Sequence, residues 1–332
     1  MLPLLKQIRC IRYLLVWKVN SSLVRIPDCL TVELSQVLGT IIAQGLPTKQ
    51  AGKWQKAMTS KDCNSVIPPA GEVGTGQDNA LDGEWPVESV LFMYPGKLTY
   101  GTEEVILWEL RLFGDWADHG FFLEVILPAM EEASYTSDLR WNRRNGLWGH
   151  FDIYAAYVAQ GRQWVPFVSE GKLDLRIRVS PAQWIEGLNL GSSQKHTFYH
   201  LSWLTPFSLE GIPLPADAFT NNVHTLSLKG ILEVLIYRLS QLITGRYSTA
   251  EDVWNILTPQ EQQLFHEAME VASQPCVSSE DFKKPLPAWP GHCIGTQTFE
   301  CIPLLTVPYL ELASILHIGR HTHFGCGTFI LT

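Results

Sequence analysis

Residues 317 to 332 read HIGRHTHFGCGTFILT, and the interpretation of the whole chain turns on them. A terminal strand accounts for the last residues but not for Gly319, Gly325 and Gly327. Glycine weakens a strand and loses more conformational freedom on folding than other residues, so three within nine positions mark a backbone that must turn sharply or approach something closely. Between them lie Arg320, a permanent cation, and two titratable rings. His321 and His323 alternate with Thr322, so an extended segment would direct both rings to one side.

Upstream of the tail, PLLTVPYLELASILHIG (303–319) reads as a strand followed by a short helix. TLSLKGILEVLIYRLSQLITG (225–245) places Leu228, Ile231, Leu232, Leu235, Leu239 and Leu242 on one face of an amphipathic helix stopped by Gly245. Thr258, Pro259 and Glu261 open another helix as a capping box with proline at its first position. At the other end, RCIRYLLVWKV (9–19) reads as a strand and LTVELSQVLGTIIAQG (30–45) as a helix. EVILWELRLFG (104–114) is a strand, and Asp118 caps the helix DHGFFLEVILPAM (118–130). GHFDIYAAYVA (149–159) and KLDLRIRVS (172–180) add strands, with the basic turn LRWNRRNG (139–146) before them. The stretch 47–85 lacks periodicity and reads as a long loop or insertion. GLNLGSSQ (187–194) is linker-like, dividing the chain into 1–190 and 191–332. Strands and helices mix without a regular βαβ repeat, which predicts an α+β fold, with two ferredoxin-like units as the simplest arrangement.

The chain has 332 residues, 46% hydrophobic and 17% charged, which suits a folded protein with an ample core. Seven cysteines with no CxxC pair argue for a reducing compartment rather than a disulfide framework. Lys6, Arg9, Arg12 and Lys18 interrupt the apolar N-terminus too often for a signal-peptide core, and no run reaches the ~18 apolar residues of a membrane span. A cytoplasmic protein with no membrane contact is the expectation. The formal net charge of −8 speaks against nucleic acid only as an average. Residues 1–62 are strongly basic and 72–132 strongly acidic, and a polyanion needs a positive face rather than a positive total.

The tail pattern G-R-H-T-H-F-G-C-G before a last strand resembles the glycine-rich signature that closes the CRISPR repeat-processing endoribonucleases of the RAMP superfamily, which reads like G-(K/R)-x-T-x-F-G-x-G. Gly319, Arg320, Thr322, Phe324, Gly325 and Gly327 fall on it. LWELRLFGDWADHGFFLEVILPAMEEA (107–133) and SWLTPFSLEG (202–211) resemble two further family blocks, and the helix bearing Tyr237 and Arg238 stands where the family has a similar one. The resemblance covers about residues 86 to 332. It implies two ferredoxin-like, RRM-like domains in tandem with the glycine-rich loop against RNA. It also implies metal-independent cleavage of precursor crRNA by 2′-hydroxyl attack, no cofactor, and other CRISPR effector-complex subunits as partners in antiviral defence. On the physical reading, the backbone N–H groups of closely spaced glycines would face phosphate oxygens, with Arg320 as a donor fork.

Attack by a ribose hydroxyl needs a base, an acid and positive charge on the phosphorane. The family's catalytic histidine usually lies in the first helix of the N-terminal domain, and here no histidine precedes His119. Three solutions stay open: His321 or His323 in the tail; His119 at the mid-chain helix; or Tyr13, Lys18 or Lys49 from the basic first segment. His321 is placed first. For RNA beyond the scissile phosphate, Arg140, Arg143 and Arg144 beside Trp141 offer phosphate forks and a stacking plane, against the plain alternative of a solvated basic turn. Two other functions compete. One is a non-catalytic subunit that holds repeat RNA. The other is a metalloenzyme built on His292, Cys293, His321, His323 and Cys326, whose spacing matches no standard zinc pattern. No P-loop motif occurs.

Overall fold

The computed structural model describes residues 2–58, 84–188, 190, 197–212, 214–215, 218–219, 226–243, 250–274 and 277–332. Most of the expected 47–85 insertion, most of the expected linker 187–194, and Gly245, His196 and His224 lie outside the described residues.

The N-terminal half begins with strand β1 (Cys10–Val19), then helices α1 (Leu30–Gly45) and α2 (Thr48–Met58), and strands β2 (Ser89–Met93) and β3 (Val105–Phe113). Helix α3 (119–135) opens as an α turn His119–Phe121, continues as a π segment Phe122–Ile126 and ends as the α segment Leu127–Tyr135. Strands β4 (Phe151–Gln160), β5 (Gln163–Ser169) and the short β6 (Lys172–Leu173) follow. All pairings are antiparallel, and the sheet runs β2-β3-β1-β4-β5-β6. Along β1 the odd positions Ile11, Tyr13, Leu15, Trp17 and Val19 are buried with the apolar residues of α1 and α3, as the period of two in a half-covered strand demands. Asp118 caps α3, its side chain accepting from the N–H groups of Gly120 and Phe121.

The C-terminal half holds β7 (Phe198–Trp203), α4 (Leu228–Leu242), α5 (Ala250–Ile256), α6 (Pro259–Ala272), β8 (Val277–Lys283), β9 (Ile294–Ile302), α7 (Val307–Leu316) and β10 (Phe329–Leu331). Its sheet is β8-β9-β7-β10, again antiparallel. With the added helices α2, α5 and α6 and the trailing strands β5 and β6 set aside, each half is strand, helix, strand, strand, helix, strand. In both, the four strands lie side by side as second, third, first and fourth. The capping box of α6 is formed, Thr258 and Glu261 serving each other's backbone N–H.

Four expectations differ from what is seen. Helix α2 replaces the first part of the predicted loop, because Ala51 and Trp54 bury one face. KLDLRIRVS contributes only the two residues of β6, since Leu173 and Leu175 are exposed and have no second face to cover. Residues 303–306 turn into α7 rather than forming a strand. The strands of that region are β8 and β9, and the sequence of β8, VSSEDFK, carries little apolar alternation because it is a solvent-exposed edge.

The halves meet through a buried charged cluster. Glu109 on β3 receives Arg12 at 3.1 Å, Arg111 at 3.0 Å and the Tyr94 hydroxyl. Burial alone would raise its carboxyl, but Arg111 and Arg12 outweigh that and hold it at about 2. Arg111 also donates to the Ile315 carbonyl, and Arg238 on α4 donates to Leu316 O (3.3 Å) and Glu88 (2.8 Å). Two guanidinium groups thus satisfy the last carbonyls of α7, where cations suit the negative helix end. The start of the glycine-rich loop is thereby pinned to the N-terminal sheet.

Candidate active site

The loop after α7 is held by its own half and by the other. His317, buried with φ of 56°, donates from Nδ1 to the carbonyls of Gly325 (3.1 Å) and Cys326 (3.0 Å). The Gly327 N–H donates to Pro206 O (3.0 Å), the Arg320 N–H to Ser208 O (2.8 Å) and the Gly325 N–H to Thr322 O (2.9 Å). On the N-terminal side, Thr31 of α1 donates its hydroxyl to Phe324 O at 2.7 Å. Glycine is required for contact with the protein itself. An added Cβ would lie 2.4 Å from Leu91 O at Gly325 and 1.8 Å from Ile318 O at Gly327, both at positive φ. Sequence reasoning aimed the N–H groups of these two glycines at phosphate, but both already bond to protein carbonyls.

The segment is also not extended. His321 takes the left-handed conformation (φ 59°) and Thr322–Phe324 form a 3₁₀ turn, so the two histidine rings part. His323 is buried. Its Nε2 lies 2.6 Å from Ser35 Oγ and its Nδ1 3.0 Å from Ser89 Oγ. Ser89 donates to Val87 O and the Trp85 N–H points at Nε2. This network assigns the proton to Nδ1, leaving Nε2 to accept from Ser35. Burial pushes the His323 ring down to about 3. It clasps the loop to α1 and β2, as a neutral side chain. Thr322 and Phe324 are buried as well.

His321 and Arg320 stand outward. With Glu84, Glu88, Arg238 and Gln241 they line a cavity of about 270 Å³ beside the loop. Protonation of His321 is disfavoured by partial burial first, then by the charges of Arg320 and His292, with Glu210 opposing. The ring is therefore a base at neutral pH, next to a guanidinium suited to a phosphate.

Tyr13 and His119, weighed separately in the sequence, come together: the Tyr13 hydroxyl is 3.1 Å from His119 Nδ1, with Phe122 and Phe167 packed around both rings. Burial raises the Tyr13 hydroxyl well above its ordinary range and lowers the His119 ring against the opposing pull of Asp118. Neither lines the cavity at the loop. Lys18, on the opposite face of β1, bonds Glu103 at 3.0 Å and lies over the Tyr154 ring.

In the basic turn, Arg143 and Arg144 are exposed, while Arg140 grips Asp138 and lies over the half-buried Trp141. The first turn of α1 links this turn to the loop: Thr31 reaches Phe324, and Glu33 accepts from Trp148 Nε1, four residues past Arg144. Among the described residues, no group of three or more His, Cys, Asp and Glu is placed to hold a metal ion. No helix among them is long and apolar enough to cross a membrane. What sequence reasoning missed is Arg238 and Glu84 in the cavity wall, which come from distant elements with no local signature.

No family model matches the chain, and no curated protein sequence does. Among solved structures, a chain of a partial Cas6-RT-Cas1–Cas2 complex superposes with TM-score 0.50 at 11% identity, over 97% of this chain and 46% of that one. A chain of a Cas6-RT-Cas1–Cas2 complex gives the same score and identity, over 97% of this chain and 28% of that one. A Cas6 product complex gives TM-score 0.45 at 13% identity, over 97% of this chain and 100% of that one. The chain thus spans less than half the length of the first two. Its structural neighbours are Cas6 proteins, and at these identities the likeness speaks to the fold: the chain has a Cas6-like fold.

Proposed function

We infer that the protein is a metal-independent endoribonuclease that binds CRISPR repeat RNA and cleaves precursor crRNA by 2′-hydroxyl attack. The two halves, 1–190 and 191–332, are read as tandem ferredoxin-like domains, because each repeats one strand order around two helices. The observation that carries the reading is the pair Arg320 and His321, which line the cavity beside a loop whose Gly325 and Gly327 N–H groups already bond to protein carbonyls, in a chain with this fold. Arg320 binds the scissile phosphate and His321 takes the 2′-proton. Arg143 and Arg144, placed beyond α1 from the loop, grip flanking phosphates, with Arg140 and Trp141 forming the base of that grip.

The tested outcome is direct. Repeat-containing RNA incubated with the protein in EDTA is cut at one position, leaving a 2′,3′-cyclic phosphate or its 3′-phosphate hydrolysis product upstream and a 5′-hydroxyl downstream. A 5′-phosphate product, or a strict demand for a divalent ion, would refute the mechanism. Tight binding without any cut would instead identify a non-catalytic subunit that holds repeat RNA within an effector complex. The absence of a histidine on α1, where Thr31 and Ser35 face the loop, is what favours that second reading.

A further inference from the structure

Cleavage needs an acid for the departing 5′-oxygen as well as a base, and His321 supplies one ring only. A second ring is anchored to the same framework. Residues 205–211 act as a common support. Ser208 O receives the Arg320 N–H, Pro206 O receives the Gly327 N–H, and Phe207 O receives the His292 N–H at 2.9 Å. The preceding Gly291 lies so close that an added Cβ would stand 2.5 Å from Pro206 Cβ. Backbone position at His292 is therefore tied to that of Arg320 and His321 through one short segment.

The side chains converge as well. Glu210, from the same support, faces His292 Nε2 at 3.4 Å, and both side chains are open to solvent, 64% for His292 and 78% for Glu210. The Arg320 guanidinium lies over Gly211, where an added Cβ would meet Nη2 at 3.5 Å. The charges of both His292 and Glu210 reach the His321 ring. The charged and titratable groups near His292 are thus Glu210 on the support and His321 on the loop, with Arg320 beside His321.

Resting on the endoribonuclease reading above, we propose that His292 is a second catalytic residue, the general acid for the 5′-oxygen, with Glu210 as its positioning residue. An imidazolium donates from both nitrogens, so Nε2–H is held by Glu210 while Nδ1–H serves the leaving group. The step balances. The 2′-hydroxyl proton passes to His321 as the 2′-oxygen–phosphorus bond forms, the phosphorus–5′-oxygen bond breaks, and the 5′-oxygen takes the His292 proton. Exchange with water then returns one proton to His292 and removes one from His321.

The experiment compares wild type, His292→Ala and Glu210→Gln on repeat RNA and on the same RNA with sulfur in place of the bridging 5′-oxygen at the cut, a leaving group that needs no proton. His292→Ala is expected to lose about 10²–10⁴-fold on the oxygen substrate and to recover to near wild type on the sulfur substrate. It should also lose the alkaline limb of the pH–rate profile. Glu210→Gln should lose less and recover likewise. Equal losses on both substrates, or no loss on the oxygen substrate, would overturn the assignment while leaving the nuclease reading intact. Failure of wild type to cut either RNA would overturn both.

Discussion

Replacing Gly327 by alanine separates two roles for the tail glycines. The new Cβ would stand 1.8 Å from Ile318 O with φ at +83°. A left-handed backbone costs a non-glycine residue about 1–2 kcal/mol, and overpacking a well-filled site adds about 1–3 kcal/mol. The sum, about 2–5 kcal/mol, lowers the melting temperature by about 3–7 °C in a chain of this size. Differential scanning fluorimetry of Gly327→Ala beside Gly52→Ala provides the comparison. An added Cβ at Gly52 meets nothing within 4 Å, and alanine improves the helix, so that variant should melt at or slightly above wild type. The RNA affinity of folded Gly327→Ala should change little, because its N–H is already bonded to Pro206 O. A Gly327→Ala protein that melts like wild type but binds repeat RNA tenfold more weakly would refute the account of the loop.

Other outcomes follow from the same contacts. His323 is held neutral in the fold, at about 3 against an ordinary 6.5, so between those values the unfolded chain binds the extra proton. Its contribution is present above pH 6.5 and is lost as pH falls, by up to ~1.4 kcal/mol per pH unit. Urea titrations from pH 7 to 5 should show a shallower slope for His323→Gln than for wild type, and identical slopes would contradict the clasp. Glu109→Gln leaves Arg12 and Arg111 buried without their carboxylate and should cost about 3–5 kcal/mol by urea denaturation; a cost under 1 kcal/mol would show that the cluster is hydrated. His321→Ala should cut about 10²–10⁴-fold more slowly while binding repeat RNA as well as wild type, and unchanged single-turnover rates would remove it from the mechanism.

Much of the architecture is legible locally. The strand β1 and helix α1 show their periods openly, Asp118 and Thr258 announce helix starts that the structure contains, and Gly45 ends α1. Strand β8 was not legible, since an exposed edge needs no apolar face. The site was legible as a location but not as a geometry. His321 and His323 look equivalent in an extended tail, and only the left-handed turn at His321 sends one outward and the other into Ser35 and Ser89. Those partners lie more than two hundred residues away, as does the Thr31 hydroxyl, and the Pro206 and Ser208 carbonyls that receive loop N–H groups lie more than a hundred away. The Tyr13 and His119 pairing depends on residues 106 positions apart. Such contacts are set by tertiary packing within and between the two halves, which no local pattern encodes.

The central claim is that the ribose itself supplies the nucleophile at a phosphate held by Arg320 and His321. The most direct measurement uses a series of repeat RNAs in EDTA, each with a single 2′-deoxy substitution at a successive candidate position. One substitution should abolish cleavage while leaving affinity unchanged, with every other RNA in the series cut at the wild-type rate. Cleavage of the whole series at one undiminished rate would contradict the account, because a water molecule would then be the nucleophile.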